Sequence, residues 1–189
     1  MTDNIPYGTN PYLDKMVDSD NDVDLIEIIK QHYGLDKLVH HKDPYIRAFV
    51  ATQGYGLDIL VNDPTNGVKA AVARQGYQLV KLFALKDSHI CQEARYYCID
   101  HGYRSLIDYA NEHGITIDLD EYLHSDCKYM RFEAALYGYK LDELINDPEE
   151  DIRAYVADQG YGIDILRNDK SEYVRLVAEN YINNHTKGD

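Results

Sequence analysis

The fold is decided by the stretch Ile152-Arg-Ala-Tyr-Val-Ala-Asp-Gln-Gly-Tyr-Gly-Ile-Asp-Ile-Leu166, which repeats Ile46-Arg-Ala-Phe-Val-Ala-Thr-Gln-Gly-Tyr-Gly-Leu-Asp-Ile-Leu60. A weaker copy, Val68-Lys-Ala-Ala-Val-Ala-Arg-Gln-Gly-Tyr77, directly follows the unit that begins at Ile46. Self-similarity at a short fixed period is the sequence signature of a repeat architecture. The sequence therefore predicts a stack of about six units, each of about 22 residues.

Each unit is predicted to hold two short helices joined by a turn. Ile152, Tyr155 and Val156 stand at i, i+3 and i+4, which places them on one apolar stripe of a helix. Gly160 follows, and a glycine just past a helix can take the left-handed conformation that satisfies the last carbonyls. The apolar pair that ends at Leu166 predicts a second, shorter helix or 3₁₀ turn, buried on its leucine side.

The dipeptides Asp63-Pro64 and Asp147-Pro148 mark where the next unit begins. Aspartate caps free amide groups at a helix start, and proline is tolerated in a first helical turn. The apolar stripe of one unit needs a neighbouring unit to cover it. We therefore expect that a single unit does not fold alone.

The spacing Asp-x₅-Arg, seen at Asp147/Arg153 and Asp169/Arg175 and followed by Val-Ala or a close variant, resembles the HEAT-like repeats and especially the leucine-rich-repeat variant. The resemblance covers roughly residues 33–180. It implies an all-α, right-handed solenoid of two-helix repeats, in which a ladder of Asp and Arg ties successive units. The solenoid is expected to be irregular in the middle, where the interval from Gly102 to Gly138 is longer than one regular unit.

The domain organisation follows from the extent of the repeats. Residues 1–22 are predicted to be an N-terminal arm, extended or poorly ordered, residues 23–183 a single helical-repeat domain, and residues 184–189 a C-terminal tail. Residues 103–126 add a helical stretch within the irregular centre. Insertions in repeat proteins map to one face, often the binding face, so this insertion is a candidate for specificity.

The charge of the chain limits its partners. It has 33 acidic and 19 basic side chains and a net charge of −14, which opposes direct binding to nucleic acid, because phosphate contacts supply most non-specific affinity. A basic protein partner suits this charge. The apolar runs are too short to span a bilayer and the N-terminus lacks the pattern of a secretory signal, so a cytoplasmic protein without membrane contact is predicted.

The sequence offers no strong metal motif. The segment Asp18–Asp24 places carboxylates at positions 1, 3, 5 and 7 of an EF-hand-like loop. The rest of the motif is missing, because Val23 stands where the turn needs a glycine and Ile29 stands where a bidentate glutamate is needed. The loop is therefore interpreted as an acidic entry to a helix that begins near Val23.

No cofactor and no catalytic residue are predicted either. The three cysteines, Cys91, Cys98 and Cys127, are an odd number and lack zinc-ligand spacing, so they are predicted to be free thiols.

Two acidic stretches are the candidate binding surface. Asp118–Asp126 contains four acids and no base, and Asp142–Asp151 contains six acids and no base. With the aromatic residues of the first region, they give the candidate contact residues, which are Asp118, Asp120, Glu121, Tyr122, Asp126, Tyr129, Asp142, Glu143, Glu149, Glu150 and Asp151.

These features favour a non-catalytic protein-binding scaffold. By analogy, such a protein could inhibit a nucleic-acid-handling partner by occupying its basic groove, as a DNA mimic or a phage-type counter-defence protein. The average charge is dilute for this role: residues 31–189 carry 26 acidic and 17 basic groups. The alternatives are a HEAT-like enzyme or enzyme accessory, related to DNA glycosylases or to proteins that assist chromophore attachment, and a structural module of a larger assembly.

Overall fold

The computed structural model describes residues 4–185, which fold into fifteen α-helices. Within this range the only extended pairing is a single parallel bridge between Ile5 and Tyr33. The prediction of an all-α fold is therefore confirmed.

The helices fall into two compact units, and the boundary lies between Leu106 and Ile107. The first unit contains α1 (Pro11–Val17), α2 (Asp22–Lys30), α3 (Leu35–Leu38), α4 (Pro44–Thr52), α5 (Leu57–Leu60), α6 (Asn66–Arg74), α7 (Leu79–Phe83) and α8 (Ser88–Asp100). Helix α9 (Leu106–Glu112) starts at the boundary. The second unit continues with α10 (Leu119–Leu123), α11 (Lys128–Leu136), α12 (Leu141–Leu144), α13 (Glu150–Asp158), α14 (Ile163–Leu166) and α15 (Glu172–His185).

Longer and shorter helices alternate in both units at the spacing of the sequence repeat. In the first unit, the longer helices α4, α6 and α8 begin at the evenly spaced residues Pro44, Asn66 and Ser88. In the second, α11, α13 and α15 begin at the same interval, at Lys128, Glu150 and Glu172. The short helices α5, α7, α12 and α14 follow at equivalent places, as the sequence predicts.

The core of each unit is formed by the apolar stripe of the longer helices. Ile152 and Val156, one turn apart on α13, are buried, and so are their counterparts Ile46 and Val50 on α4. Leu166 of the short helix α14 is buried as well. Each such side chain contributes about 1.5–3 kcal/mol by leaving water, so the buried stripes are the main stabilising element of each helix pair.

Glycine is required where the short helix α14 begins. Gly162 has φ +63°, in the left-handed region, and a Cβ at this position would lie 2.8 Å from Cγ2 of Ile145. The left-handed backbone strains any side chain at this position, and a Cβ would also require Ile145 to move. The Tyr-Gly step after the longer helix thus turns the chain into the short helix.

Arginine and aspartate side chains join successive helix pairs. Arg153 donates through Nε and Nη2 to both carboxylate oxygens of Asp169, at 2.7 and 2.9 Å, and this pair is almost fully buried. Arg131 binds Asp147 in the same way at 2.7 and 3.2 Å, and Arg47 binds Asp63 at 2.6 and 3.0 Å. In every case the aspartate follows the arginine by 16 residues.

The partners in this ladder differ from the pairing that the Asp-x₅-Arg spacing suggests. Arg153 does not bind the carboxylate of Asp147, six residues earlier; its Nη1 donates to the backbone carbonyl of Asp147 at 2.6 Å and to that of Pro148 at 3.2 Å. The Asp147 carboxylate instead accepts the amide of Glu149 at 2.8 Å and binds Arg131. One aspartate therefore closes the turn before a helix while it neutralises the arginine of the preceding pair.

At the aspartate position of the ladder, an aspartate occurs only in those repeats in which an arginine stands 16 residues earlier. His41 and Ser125 occupy this position three residues before α4 and α11 begin. Their side chains accept the amide two residues on, as the aspartates do. Leu25 and Tyr109 stand before them where the ladder has its arginines. In the first unit the ladder stops early, because Lys69 and Leu85 stand where the second unit has Arg153 and Asp169.

The N-terminal region differs from the extended arm that the sequence predicts. Residues 11–17 form α1, whose first turn is capped by the Asn10 side chain at 3.0 Å from the Tyr12 amide. The buried Tyr33 donates its hydroxyl to Asp14 at 2.7 Å and accepts from the Asn10 amide. The Asn-Pro helix start and this long-range tyrosine contact order the segment.

The C-terminal tail predicted at residues 184–189 lies mainly outside the described residues. Helix α15 continues to His185, so residues 184 and 185 are helical.

Candidate partner-binding surface

The acidic charge is concentrated in the second unit, where all eleven candidate contact residues lie. Residues 1–106 carry 14 acidic and 11 basic side chains, a net charge of −3. Residues 107–189 carry 19 acidic and 8 basic side chains, a net charge of −11. The surface that the sequence singles out therefore belongs to a unit that is acidic as a whole.

The first acidic stretch surrounds the short helix α10. Asp118 caps this helix, because its carboxylate accepts the amides of Asp120 at 2.9 Å and of Glu121 at 3.3 Å. All three carboxylate side chains are exposed. Placed at a helix N-terminus, they also interact favourably with the helix dipole, so the stretch is structurally stable as well as acidic.

Lys140 contributes a positive charge to this acidic region. Its Nζ lies 2.7 Å from a carboxylate oxygen of Asp120 and 3.8 Å from one of Glu143. The hydrogen bond from Lys140, together with one from Tyr139, holds the pKa of Asp120 below its usual range. Lys140 thus joins the two acidic stretches and neutralises part of their charge.

The second acidic stretch runs from α12 to the first turn of α13. Asp142 and Glu143 lie exposed on α12, and Glu150 and Asp151 lie exposed at the start of α13. Glu149, the residue before α13, is half-buried and lies 3.8 Å from Nζ of Lys128. The carboxylates again sit at helix starts, where negative charge is favourable.

Some of these carboxylates have partners within the unit and others do not. Glu150 accepts the Ser171 hydroxyl at 2.5 Å, and Glu143 lies 3.5 Å from Nε2 of His124. Asp142 and Asp151 form no salt bridge with any residue in the range 4–185. These two exposed carboxylates are the groups most directly available to a cation.

Two residues in the acidic stretches face inward. Tyr122 is only 5% exposed, so the expectation that it is a surface contact is wrong, and the next residue, Leu123, is buried as well. Asp147 is also 5% exposed because it belongs to the arginine ladder. Tyr129 is half-buried, and Asp126 is exposed. Counting acids along the sequence therefore overstates the exposed charge of Asp142–Asp151 by one.

The predicted contact residues do not include the cations that pair with these carboxylates, above all Lys140. A signal was present in the repeat: Lys140 stands where Gly56 and Gly162 stand in other units, and like them it has a positive φ, of 44°. A lysine is strained in that conformation, and such strain is often associated with a functional position.

Two of the four aspartates in the EF-hand-like loop form ion pairs with lysines. Asp18 forms an ion pair with Lys37, and Asp20 lies 2.8 Å from Nζ of Lys42. The side chain of Asn21 caps α2. Throughout the described range, the histidine, cysteine and carboxylate side chains form no group of three or more that could hold a metal ion.

The cysteines are free and buried, as predicted for thiols that fill the core. Cys91, for example, donates weakly from Sγ to the carbonyl of Phe83 at 3.5 Å. Burial of this kind makes the thiol less reactive, because a reactive thiolate needs access to solvent and a polar environment.

None of the helices within residues 4–185 combines the length and the apolar character that are needed to cross a membrane. The chain matches no family model, and no curated protein or solved structure is significantly similar to it.

Proposed function

We propose that the chain is a non-catalytic, protein-binding scaffold that presents the acidic surface of residues 107–189 to a basic protein. The observation that carries this proposal is the unequal distribution of charge, −11 in the second unit against −3 in the first. An acidic face of this kind attracts a basic partner over a distance and raises its association rate. Exposed carboxylates such as Asp142 and Asp151 then supply the contacts.

We further propose that the helix pairs within each unit are HEAT-like repeats of the leucine-rich-repeat-variant kind, stacked with a right-handed turn. The even spacing of the longer-helix starts supports this interpretation, and so does the arginine ladder. Repeat proteins of this type present extended surfaces for binding. Such a scaffold suits a partner that is itself elongated or grooved.

A nucleic-acid-handling protein is the proposed kind of partner. Its basic groove is built to receive a row of phosphate charges, and a row of carboxylates can occupy the same cations. The second stretch provides five carboxylates outside the ladder, Asp142, Glu143, Glu149, Glu150 and Asp151. The protein would then act as an inhibitor, as a DNA mimic or phage-type counter-defence protein does.

The proposal is tested with a fluorescent oligoarginine peptide and the full-length chain. Binding is measured by anisotropy at about 50 mM and about 500 mM salt, where the Debye length falls from roughly 14 Å to roughly 4 Å. We expect measurable binding at low salt that is lost at high salt. Neutralising the second stretch, with Asp142→Asn, Glu143→Gln, Glu149→Gln, Glu150→Gln and Asp151→Asn, should weaken binding at low salt at least about tenfold.

A matched control changes the net charge equally but at exposed carboxylates outside the two acidic stretches. It consists of Asp22→Asn, Glu27→Gln, Asp58→Asn, Asp158→Asn and Asp164→Asn. We expect this variant to lose no more than about twofold in affinity. Equal losses in both variants would show that net charge, and not this surface, is responsible.

The nature of the partner is tested by capture from the cells that produce the protein. Immobilised wild type and the neutralised variant are compared at low and high salt, and bound proteins are identified by mass spectrometry. The proposal predicts nucleic-acid-binding proteins that are retained only by the wild type and are released by salt. If the salt-sensitive proteins have no nucleic-acid-binding role, the partner class is wrong even where the acidic surface is correct.

A further inference from the structure

Arg175 on α15 occupies the arginine position of the ladder. Arg175 stands one period of the sequence repeat after Arg153, and its Nη1 donates to the carbonyls of Asp169 at 2.7 Å and of Lys170 at 3.2 Å. Arg153 holds the carbonyls of Asp147 and Pro148 in the same way. The guanidinium group of Arg175 is therefore fixed in the orientation that Arg153 uses to bind its carboxylate.

The other edge of that guanidinium, formed by Nε and Nη2, pairs with no carboxylate of the described residues 4–185. In Arg47, Arg131 and Arg153, Nε and Nη2 donate to an aspartate that follows by 16 residues. Among the residues from 4 to 185, no carboxylate forms a salt bridge with Arg175. A planar, oriented pair of N–H donors that is half-exposed suits a carboxylate, which accepts both hydrogen bonds at once.

Leu176, the residue after Arg175 on α15, is 50% exposed. At the position of Leu176, one unit earlier, Ala154 is only 3% exposed, because α15 packs on α13. The N-terminal half of α15 thus combines apolar surface with an oriented cation.

The first unit shows that a last longer helix does not need this arginine. Helix α8 ends the corresponding series, and Cys91 stands at the position equivalent to Arg175. Cys91 is fully buried and presents no charge. Arg175 therefore gives α15 a charged group that the last longer helix of the first unit lacks at this position.

We propose that the Nε–Nη2 edge of Arg175, together with the exposed Leu176 that follows it, is a docking site for a partner protein that presents an aspartate in a turn before a helix. The template is within the chain, since Asp169 and Ser171 form such a turn against Arg153. This site lies on α15, outside the acidic stretches, and does not depend on the proposed acidic surface. It selects an acidic turn, whereas the acidic surface selects a basic partner.

Glu179 limits the contact to the N-terminal half of α15. The equivalent residues of the four covered helices are alanines that are fully buried, Ala51, Ala73, Ala135 and Ala157. Glu179 is exposed, and its length and charge oppose close packing of another helix at that point. The partner therefore contacts α15 mainly through its turn.

The test uses the full-length protein and a fluorescent synthetic peptide with the sequence of residues 163–180, which contains the Asp169 turn. Binding is followed by anisotropy, and circular dichroism verifies that each protein variant is folded. We expect Arg175→Ala to weaken binding at least about tenfold, and Arg175→Lys to weaken it nearly as much, because lysine cannot form the paired hydrogen bonds. Replacing the aspartate of the peptide, Asp169→Asn, should have a similar effect. Glu179→Ala should strengthen binding about threefold, because it restores the alanine of the covered helices.

Each other outcome contradicts the proposal. No binding to the wild type, or equal binding to the wild type and Arg175→Ala, removes the site. If free aspartate displaces the peptide at the peptide's own concentration, the site recognises a carboxylate alone and not a helix turn. If sedimentation shows self-association that Arg175→Ala abolishes, the occupant is a second copy of the chain and not another protein.

Discussion

The two units of the protein share one helical plan but differ in charge. The longer helices of both units begin at the same regular interval, and equivalent apolar positions such as Val72 and Val156 are fully buried in both. Yet the first unit has a net charge of −3 and the second −11, and the arginine ladder has one pair in the first unit and two in the second. The buried positions determine the fold, while the exposed positions and the ladder can change without altering it.

The largest effect is expected where the two units differ at a ladder position. Arg153 on α13 is 3% exposed and binds Asp169. Lys69 occupies the equivalent position of α6 in the first unit, and Leu85 stands where its aspartate would be. Arg153→Met leaves a nearly buried carboxylate without its partner and should lower the free energy of unfolding by about 3–5 kcal/mol. Lys69→Met, the matched control, should change it by about 0.5 kcal/mol or less. Urea unfolding measures both; similar values would contradict the structural role of the ladder.

A smaller effect is expected at a feature that both units share. Gly160 has φ +77°, and a Cβ there would lie 2.2 Å from the ring of Tyr181; Gly76 meets Tyr97 in the same way at 2.1 Å. Gly160→Ala and Gly76→Ala should each cost about 2–3 kcal/mol, from the left-handed backbone and the displaced ring. Gly138, at φ +73° with open space around it, is the control and should cost about 1 kcal/mol as alanine. Thermal unfolding compares the three, and a Gly138→Ala cost equal to the others would exclude the steric contribution.

The ladder should also make the protein sensitive to acid. Hydrogen bonds from Arg153 and from the Ser171 amide outweigh burial and hold the pKa of Asp169 below its usual range. Because the folded state then binds a proton less readily than the unfolded chain, the stabilisation is complete above about pH 4 and is lost as the pH falls through the lower folded-state pKa. Asp169→Asn should be less stable at neutral pH but lose less stability between about pH 4 and about pH 2. Asp58→Asn, at an exposed site, should follow the wild type; an unchanged acid profile in Asp169→Asn would argue against the contribution of this pair.

The smallest effect is expected at Lys140, where the second unit neutralises part of its own charge. Lys140→Gly removes a cation beside Asp120, so we expect oligoarginine to bind about threefold more tightly. Glycine also relieves the positive φ at this position, so we expect the free energy of unfolding to change by less than about 1 kcal/mol. Lys30→Ala, at an exposed site in the first unit, changes the net charge equally and should leave affinity nearly unchanged. Weaker binding in Lys140→Gly would contradict the view that Lys140 neutralises carboxylates that the probe binds.

The sequence predicted the helix pairs because their signals are local. The apolar stripe at Ile152 and Val156 and the glycine at Gly160 act within one unit, and the structure has both in the expected role. Asp147 does not cap α13 as expected: it accepts the amide of Glu149, the residue before the helix. The order of the N-terminal region escaped prediction because it depends on Tyr33, which contacts residues far from it in the chain.

The candidate surface was predicted less completely than the fold. Acids can be counted along a sequence, but their counterions come from other elements: Lys140 reaches Asp120 across 20 residues, and Arg131 reaches Asp147 across 16. The same holds for Tyr122, whose burial depends on how α10 packs. Exposure and pairing are tertiary properties, so charge density in the sequence gives only an upper bound on the charge that a partner meets.

Carboxyl footprinting tests the central claim most directly. The full-length protein is labelled with a carbodiimide and an amine, with and without oligoarginine at low salt, and mass spectrometry locates the modified acids. We expect protection of Asp142, Glu143 and Asp151 in the second unit, while Asp22 and Asp58 in the first unit react as before. Equal protection in both units, or protection confined to the first, would contradict that claim.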